Sequence, residues 1–202
     1  MLLELRKTKI EFGFSFALTV TLMLLLFEEK IVLMSVLSSI LHECGHFLMM
    51  RLSGEKIERV VFGAFGVRIE KIAFSGISYK REIAVALGGI AVNLILAGVS
   101  FTVYFLSESL TAAGFAIINL MIALMNSLPL KSLDMGRAMH FFLLNCFSEE
   151  KTEKITSTVS FIFFLAFSAF TVFYCAFIKL NFSLIAVSIY LLTETELKIH
   201  GQ

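Results

Sequence analysis

Ionisable residues in this chain are bunched, and between the bunches run six stretches of nearly unbroken apolar sequence: 12–27, 31–50, 83–107, 109–130, 155–178 and 180–193. A helix rising ~1.5 Å per residue needs about 20 apolar residues to cross ~30 Å of hydrocarbon. Each stretch is therefore expected to be a membrane-spanning helix, the first and last by borrowing flanking residues. Between the second and third, residues 51–82 are charged and glycine-bearing. Within them 57–62 and 67–72 alternate in part between apolar and polar positions on either side of Gly63, Ala64, Phe65 and Gly66, which predicts a hairpin rather than a helix. A short helix-like run, 135–147, is expected at the membrane interface. No repeat or linker divides the chain. The expected fold is all-α and membrane-embedded, with about six transmembrane helices, a small β-hairpin after the second helix, and a single domain over 1–202.

Composition agrees: 58% hydrophobic against 16% charged residues, with a mean hydropathy of +0.89, excludes an ordinary soluble domain and makes the lipid bilayer the surroundings. A net charge of +1 leaves no basic excess for nucleic acid, so no nucleic-acid partner is expected. The first stretch is retained rather than cleaved, because no small-residue site closes it and the chain continues through Glu28, Glu29 and Lys30 into the next stretch. Placing the amino terminus in the cytoplasm puts nearly all lysines and arginines inside, with only Lys30 and Lys179 outside. That bias predicts a multi-pass protein of a bacterial cell membrane, with both termini cytoplasmic. Cys44, Cys146 and Cys175 lie far apart without paired spacing and are expected to be buried thiols.

The chemistry is concentrated in the second stretch, where His42, Glu43, Cys44, Gly45 and His46 interrupt an apolar helix. Residues four apart share a helix face, so both imidazoles can meet one zinc ion, with Glu43 beside them facing the attacking water. A catalytic zinc takes three protein ligands and keeps one position open. Asp134, the one aspartate of the chain, is the candidate third ligand; its alternative role is to cap the helix that follows. Pro129 should end the fourth helix and let the chain turn toward the metal. His140 and His200 are placed on interfacial or terminal segments and are expected to be solvated or packing residues. Asn93 and Asn126 carry amides into hydrocarbon and each needs a partner there.

These residues resemble the motifs of the site-2 protease family of intramembrane zinc metalloproteases. His42 to His46 stands where the family carries its helix motif, and Leu133, Asp134, Met135 and Gly136 resemble the aspartate–glycine motif, with Met135 where the family more often has glycine and with Asn126 and Pro129 before it. Gly88, Gly89, Ile90, Ala91, Val92 and Asn93 look like the glycine, proline and asparagine signature, with Ile90 where the family has proline. The resemblance implies one Zn²⁺ per chain held by His42, His46 and Asp134, with Glu43 as general base, and hydrolysis of a peptide bond in a membrane-anchored protein substrate. It further implies that Asn93 or Asn126 bonds substrate backbone, and the hairpin at Gly63 and Gly66 is expected to approach the extended substrate. The short interval from His46 to Asp134 leaves no room for an inserted PDZ domain. In layout the chain looks most like the branch containing the sporulation stage IV processing protease, without that branch's CBS domain.

The rival readings are a membrane metal carrier or haem protein, and a scaffold that binds membrane proteins without cutting them. Histidines on one helix side cannot sandwich a haem, and the other spans carry no carboxylate-rich or methionine-rich pathway.

Overall fold

The computed structural model describes residues 2–5, 8–12, 14–54, 57–63, 66–71, 78–177 and 188. They belong to two compact units, 1–125 and 126–202.

The first unit opens with strands β1 (Leu2–Leu5) and β2 (Thr8–Phe12), followed by helices α1 (Phe14–Leu26) and α2 (Glu29–Leu52). Strands β3 (Ile57–Gly63) and β4 (Gly66–Lys71) then lead to helices α3 (Tyr79–Ser107) and α4 (Leu110–Asn126). The strands form one sheet in the order β1-β2-β3-β4, antiparallel except for β2 on β3. That parallel pair needs a long crossover, which α1 and α2 supply. Gly63 and Gly66 face each other at the end of the β3–β4 ladder.

Helix α2 carries Glu29 in its first turn and Arg51 in its last, charges that complement the helix dipole. Arg81 at the start of α3 donates to the Ser53 carbonyl just beyond α2, at 3.2 Å. Helix α3 ends at Glu108, whose left-handed backbone (φ 52°) lets its N–H reach the Tyr104 carbonyl at 2.7 Å. Its buried residues Ala86, Gly89, Ile90, Asn93, Ala97 and Ser100 recur every three or four positions and so make one face. Helices α2 and α3 touch backbone to backbone there. A Cβ on Gly45 would lie 2.5 Å from the Gly88 carbonyl oxygen, and one on Gly88 2.7 Å from that of Gly45. Close approach through small residues is how helices associate where apolar side chains gain nothing by leaving lipid.

The second unit holds α5 (Asp134–Leu144) and α6 (Glu149–Phe177). Buried Leu130 and Phe164 form its core with Leu128, Leu133 and Phe167 around them. Ser160 of α6 accepts from the Lys131 N–H at 3.0 Å and donates to the Pro129 carbonyl at 3.2 Å, fastening the segment before α5. Lys131 also pairs with Glu153 of α6. A Cβ on Gly136 would collide with the Leu130 carbonyl, so only glycine lets this segment lie across the first turn of α5.

The expected all-α fold with about six transmembrane helices and a small β-hairpin is corrected on two counts. Six helices are present among the described residues, but only α2, α3 and α6 are long and apolar enough to cross a membrane. An apolar run is not yet a continuous helix: α1 has 13 residues and α4 has 17, rises of about 20 and 26 Å. Helix α5 is shorter still at 11 residues, and the expected span 180–193 lies outside the described residues apart from residue 188. In place of a small isolated hairpin, the described strands join into a four-stranded sheet that includes β1 and β2 from the amino terminus. The cysteines also differ from expectation: Cys44 and Cys146 are exposed and Cys175 is half-buried, all as free thiols. Helices α2 and α6 turn Cys44 and Cys175 away from their buried faces, and Cys146 lies in the turn between α5 and α6.

The distribution of polarity is that of a membrane protein. Leu94, Ile95, Val99, Phe161, Phe170 and Phe173 are exposed, while Ser38, Asn93, Asn119, Thr152, Thr156 and Ser160 are buried. Water would drive the reverse arrangement, whereas hydrocarbon requires polar groups to find partners inside.

Candidate metal centre

His42 and His46 lie one turn apart on the buried face of α2, each 5% exposed, with ring centroids 4.8 Å apart and planes crossed at 82°. Three successive turns of α3 meet them. Val85 presents its backbone carbonyl 2.8 Å from His46 Nδ1, Gly89 leaves a gap, and Asn93 presents Oδ1 2.5 Å from His42 Nδ1.

These contacts decide where the ring protons are. A carbonyl oxygen only accepts, so His46 Nδ1 must carry hydrogen and donate to Val85; His42 Nδ1–H donates likewise to the Asn93 oxygen. In a neutral imidazole the other nitrogen then bears a lone pair. The two Nε2 atoms stand 3.2 Å apart, and with neither able to donate the contact is two lone pairs converging, not a hydrogen bond. Two nitrogens each ~2.0–2.1 Å from one tetrahedral zinc are separated by about 3.3 Å. The pair therefore fits a shared metal ion. Gly89 preserves the room for it, since a Cβ there would lie 2.5 Å from His46 Nε2 and 2.6 Å from His42 Nε2.

Glu43, next in sequence to His42, is half-buried, so its carboxylate is not sealed off as the histidines are. In the second unit Asp134 opens α5 and is 7% exposed. The residue at the cap position is Leu133, not Asp134, and it makes no side-chain capping bond. Among the described His, Cys, Asp and Glu residues, His42 and His46 in the first unit and Asp134 in the second are the buried ones. Imidazole nitrogen and carboxylate oxygen are both donor types that zinc accepts. His140 is half-buried beside Glu153, 3.8 Å from its carboxylate, and His200 lies outside the described residues.

Asn93 is fully buried with both ends of its amide engaged: the oxygen takes the His42 proton, and Nδ2 donates to Asn119 Oδ1 at 2.8 Å. It bonds neighbouring helices, one of the two roles open to it from the sequence. Asn126 is half-buried at the last residue of α4, and Gly63 and Gly66 close β3 and open β4. Asn119 and the Val85 carbonyl are site components that motif reading passed over, and Gly89, although part of a motif, was given no role at the histidines. Only Asn119 left a signal, being a third amide in an apolar stretch.

No protein-family model and no curated protein matches the sequence. A solved structure does. The chain is similar to a site-2 protease from Methanocaldococcus jannaschii, with a TM-score of 0.71 and 21% identity over 97% of this chain and 93% of that one. At that identity the likeness establishes the fold of a site-2 protease, which now stands beside the histidine geometry.

Proposed function

We propose that this protein is an intramembrane zinc metalloprotease that hydrolyses a peptide bond within or near the transmembrane segment of a membrane-anchored protein. The observation that carries this reading is the pair of Nε2 atoms facing each other at 3.2 Å on the helix that also carries Glu43. His42, His46 and Asp134 would hold one Zn²⁺, the two units acting as one catalytic domain. The sequence order of the motifs and the fold likeness over nearly the whole chain support the assignment of Asp134.

Zinc, when bound, supplies a Lewis acid that polarises a carbonyl and acidifies water. Glu43 takes the proton of the attacking water and passes it to the leaving amine. Asn126, Gly63 and Gly66 serve the substrate side, pairing backbone groups that a helical substrate exposes when it unwinds in lipid. His46 is five and His42 nine residues before Arg51, which puts the site ~8 to 14 Å below the end of the span. Water and released product then pass on that side, the cytoplasmic one by the distribution of lysine and arginine. Within the class, the layout points to the branch that processes sporulation precursors.

Glu43→Gln tests the reading in cells carrying a membrane-anchored substrate. Zinc content should stay near one per chain while cleavage falls about 10²- to 10⁴-fold. Undiminished cleavage by the variant overturns it, and a haem absorption band or retained metal transport would instead identify a carrier.

A further inference from the structure

The hydrogen that fixes His42 is set by Asn119, two hydrogen bonds away. Asn119 Nδ2 donates to the Phe115 carbonyl at 2.9 Å and to Ser38 Oγ at 2.9 Å. Because the carbonyl cannot donate, the Asn119 amide has one possible orientation, with Oδ1 turned the other way, toward Asn93. Asn93 must then offer Nδ2 to it, at 2.8 Å, which leaves Asn93 Oδ1 as the atom facing His42 Nδ1. Ser38, Asn93 and Asn119 are each 0% exposed, so water cannot substitute for any link. His46 needs no such chain, since a backbone carbonyl holds it directly.

We infer that Asn119 is a positioning residue for the metal pair, a lock on α4 that keeps Asn93 from turning over and so keeps the lone pair of His42 on Nε2. Without Asn119, the Asn93 amide is free to rotate by half a turn and present its NH₂ group to His42. The imidazole would answer by moving its proton to Nε2, which removes one of the two converging lone pairs. This deepens the zinc reading and rests on it for its consequence, but the tautomer itself is a property of the metal-free protein.

The test uses the full chain in lipid nanodiscs, metal-free, with ¹⁵N-labelled histidine, and His42 assigned by its loss in His42→Gln. The wild type should show Nδ1–H at both His42 and His46; an Nε2–H His42 overturns the inference without any variant having to fold. Asn119→Leu should move His42 alone to the Nε2–H form and weaken zinc binding by about 10- to 100-fold, the range typical of lost ligand-orienting partners. The double variant Asn119→Leu with Asn93→Asp should regain zinc affinity and the Nδ1–H form, because a carboxylate offers His42 an acceptor whichever way it turns. If Asn119→Leu binds zinc as the wild type does, or if the double variant is no better than the single, Asn119 only packs and the lock is refuted. If wild-type protein binds no zinc at all, the protease reading fails, and the ¹⁵N spectra still decide the lock.

Discussion

Gly89 lies against His46 so closely that a single added carbon would sit 2.5 Å from the imidazole Nε2. The space that glycine leaves is thus part of the candidate metal centre, as much as the nitrogens that border it. Gly89→Ala is expected to bring zinc content from about one per chain to near zero, with a stability loss of only ~1–3 kcal/mol as the rings shift. Elemental analysis with a thermal unfolding scan separates the two effects. Full zinc occupancy in the alanine variant would show that the metal lies elsewhere.

Gly45 and Gly98 give a matched pair on the membrane helices. A methyl group at Gly45 meets the backbone of Gly88, which cannot move aside, whereas one at Gly98 meets nothing within 4 Å. Gly45→Ala should destabilise the protein by ~1–3 kcal/mol. Gly98→Ala should be neutral or stabilising by up to about 1 kcal/mol through helix propensity. Equilibrium unfolding in mixed micelles reads both.

Ser160 fastens both Pro129 and Lys131 through one hydroxyl. Ser160→Ala removes that partner from a partly buried N–H and carbonyl, at a cost of about 1 kcal/mol. Since the segment it holds leads into Asp134, cleavage should fall several-fold, and Ser160→Thr should restore part of it. Unaltered cleavage and stability in the alanine variant would remove the clamp from consideration.

Gly136→Ala is the severe case. Its Cβ would run into the Leu130 carbonyl, a backbone atom, so the segment before α5 cannot close as it does. Loss of more than about 3 kcal/mol is expected, read as loss of folded protein and of cleavage together. A folded, active Gly136→Ala protein would show that this segment adopts another path.

How much of this was legible in the sequence follows from range. His42 and His46 are four residues apart on one helix, so a local rule of helix geometry pairs them, and the structure places them together. The roles of Val85, Gly89 and Asn119 depend on how α3 and α4 pack on α2, and no local pattern contains that. Apolar runs were legible, but not where each helix stops: α4 ends at Asn126, three residues ahead of Pro129, too short to cross unaided. The pairing of β2 with β3 joins residues about 50 positions apart, a contact that alternation within 57–72 could not indicate. Asn93 was recognised as an amide in need of a partner, yet its partner was a histidine of the motif itself.

Val85, Gly89 and Asn93 occupy one stripe of α3 at intervals of four, as a carbonyl, a hole and an amide. Rotating or sliding α3 by a single residue against α2 would take all three away from the histidines at once. Two helices that lie in the bilayer but have not docked therefore present both imidazoles without the groups that orient them. On the proposed zinc reading, the orientation of both ligands is then a property of helix register as much as of the histidine motif, and it is acquired only when α3 docks on α2.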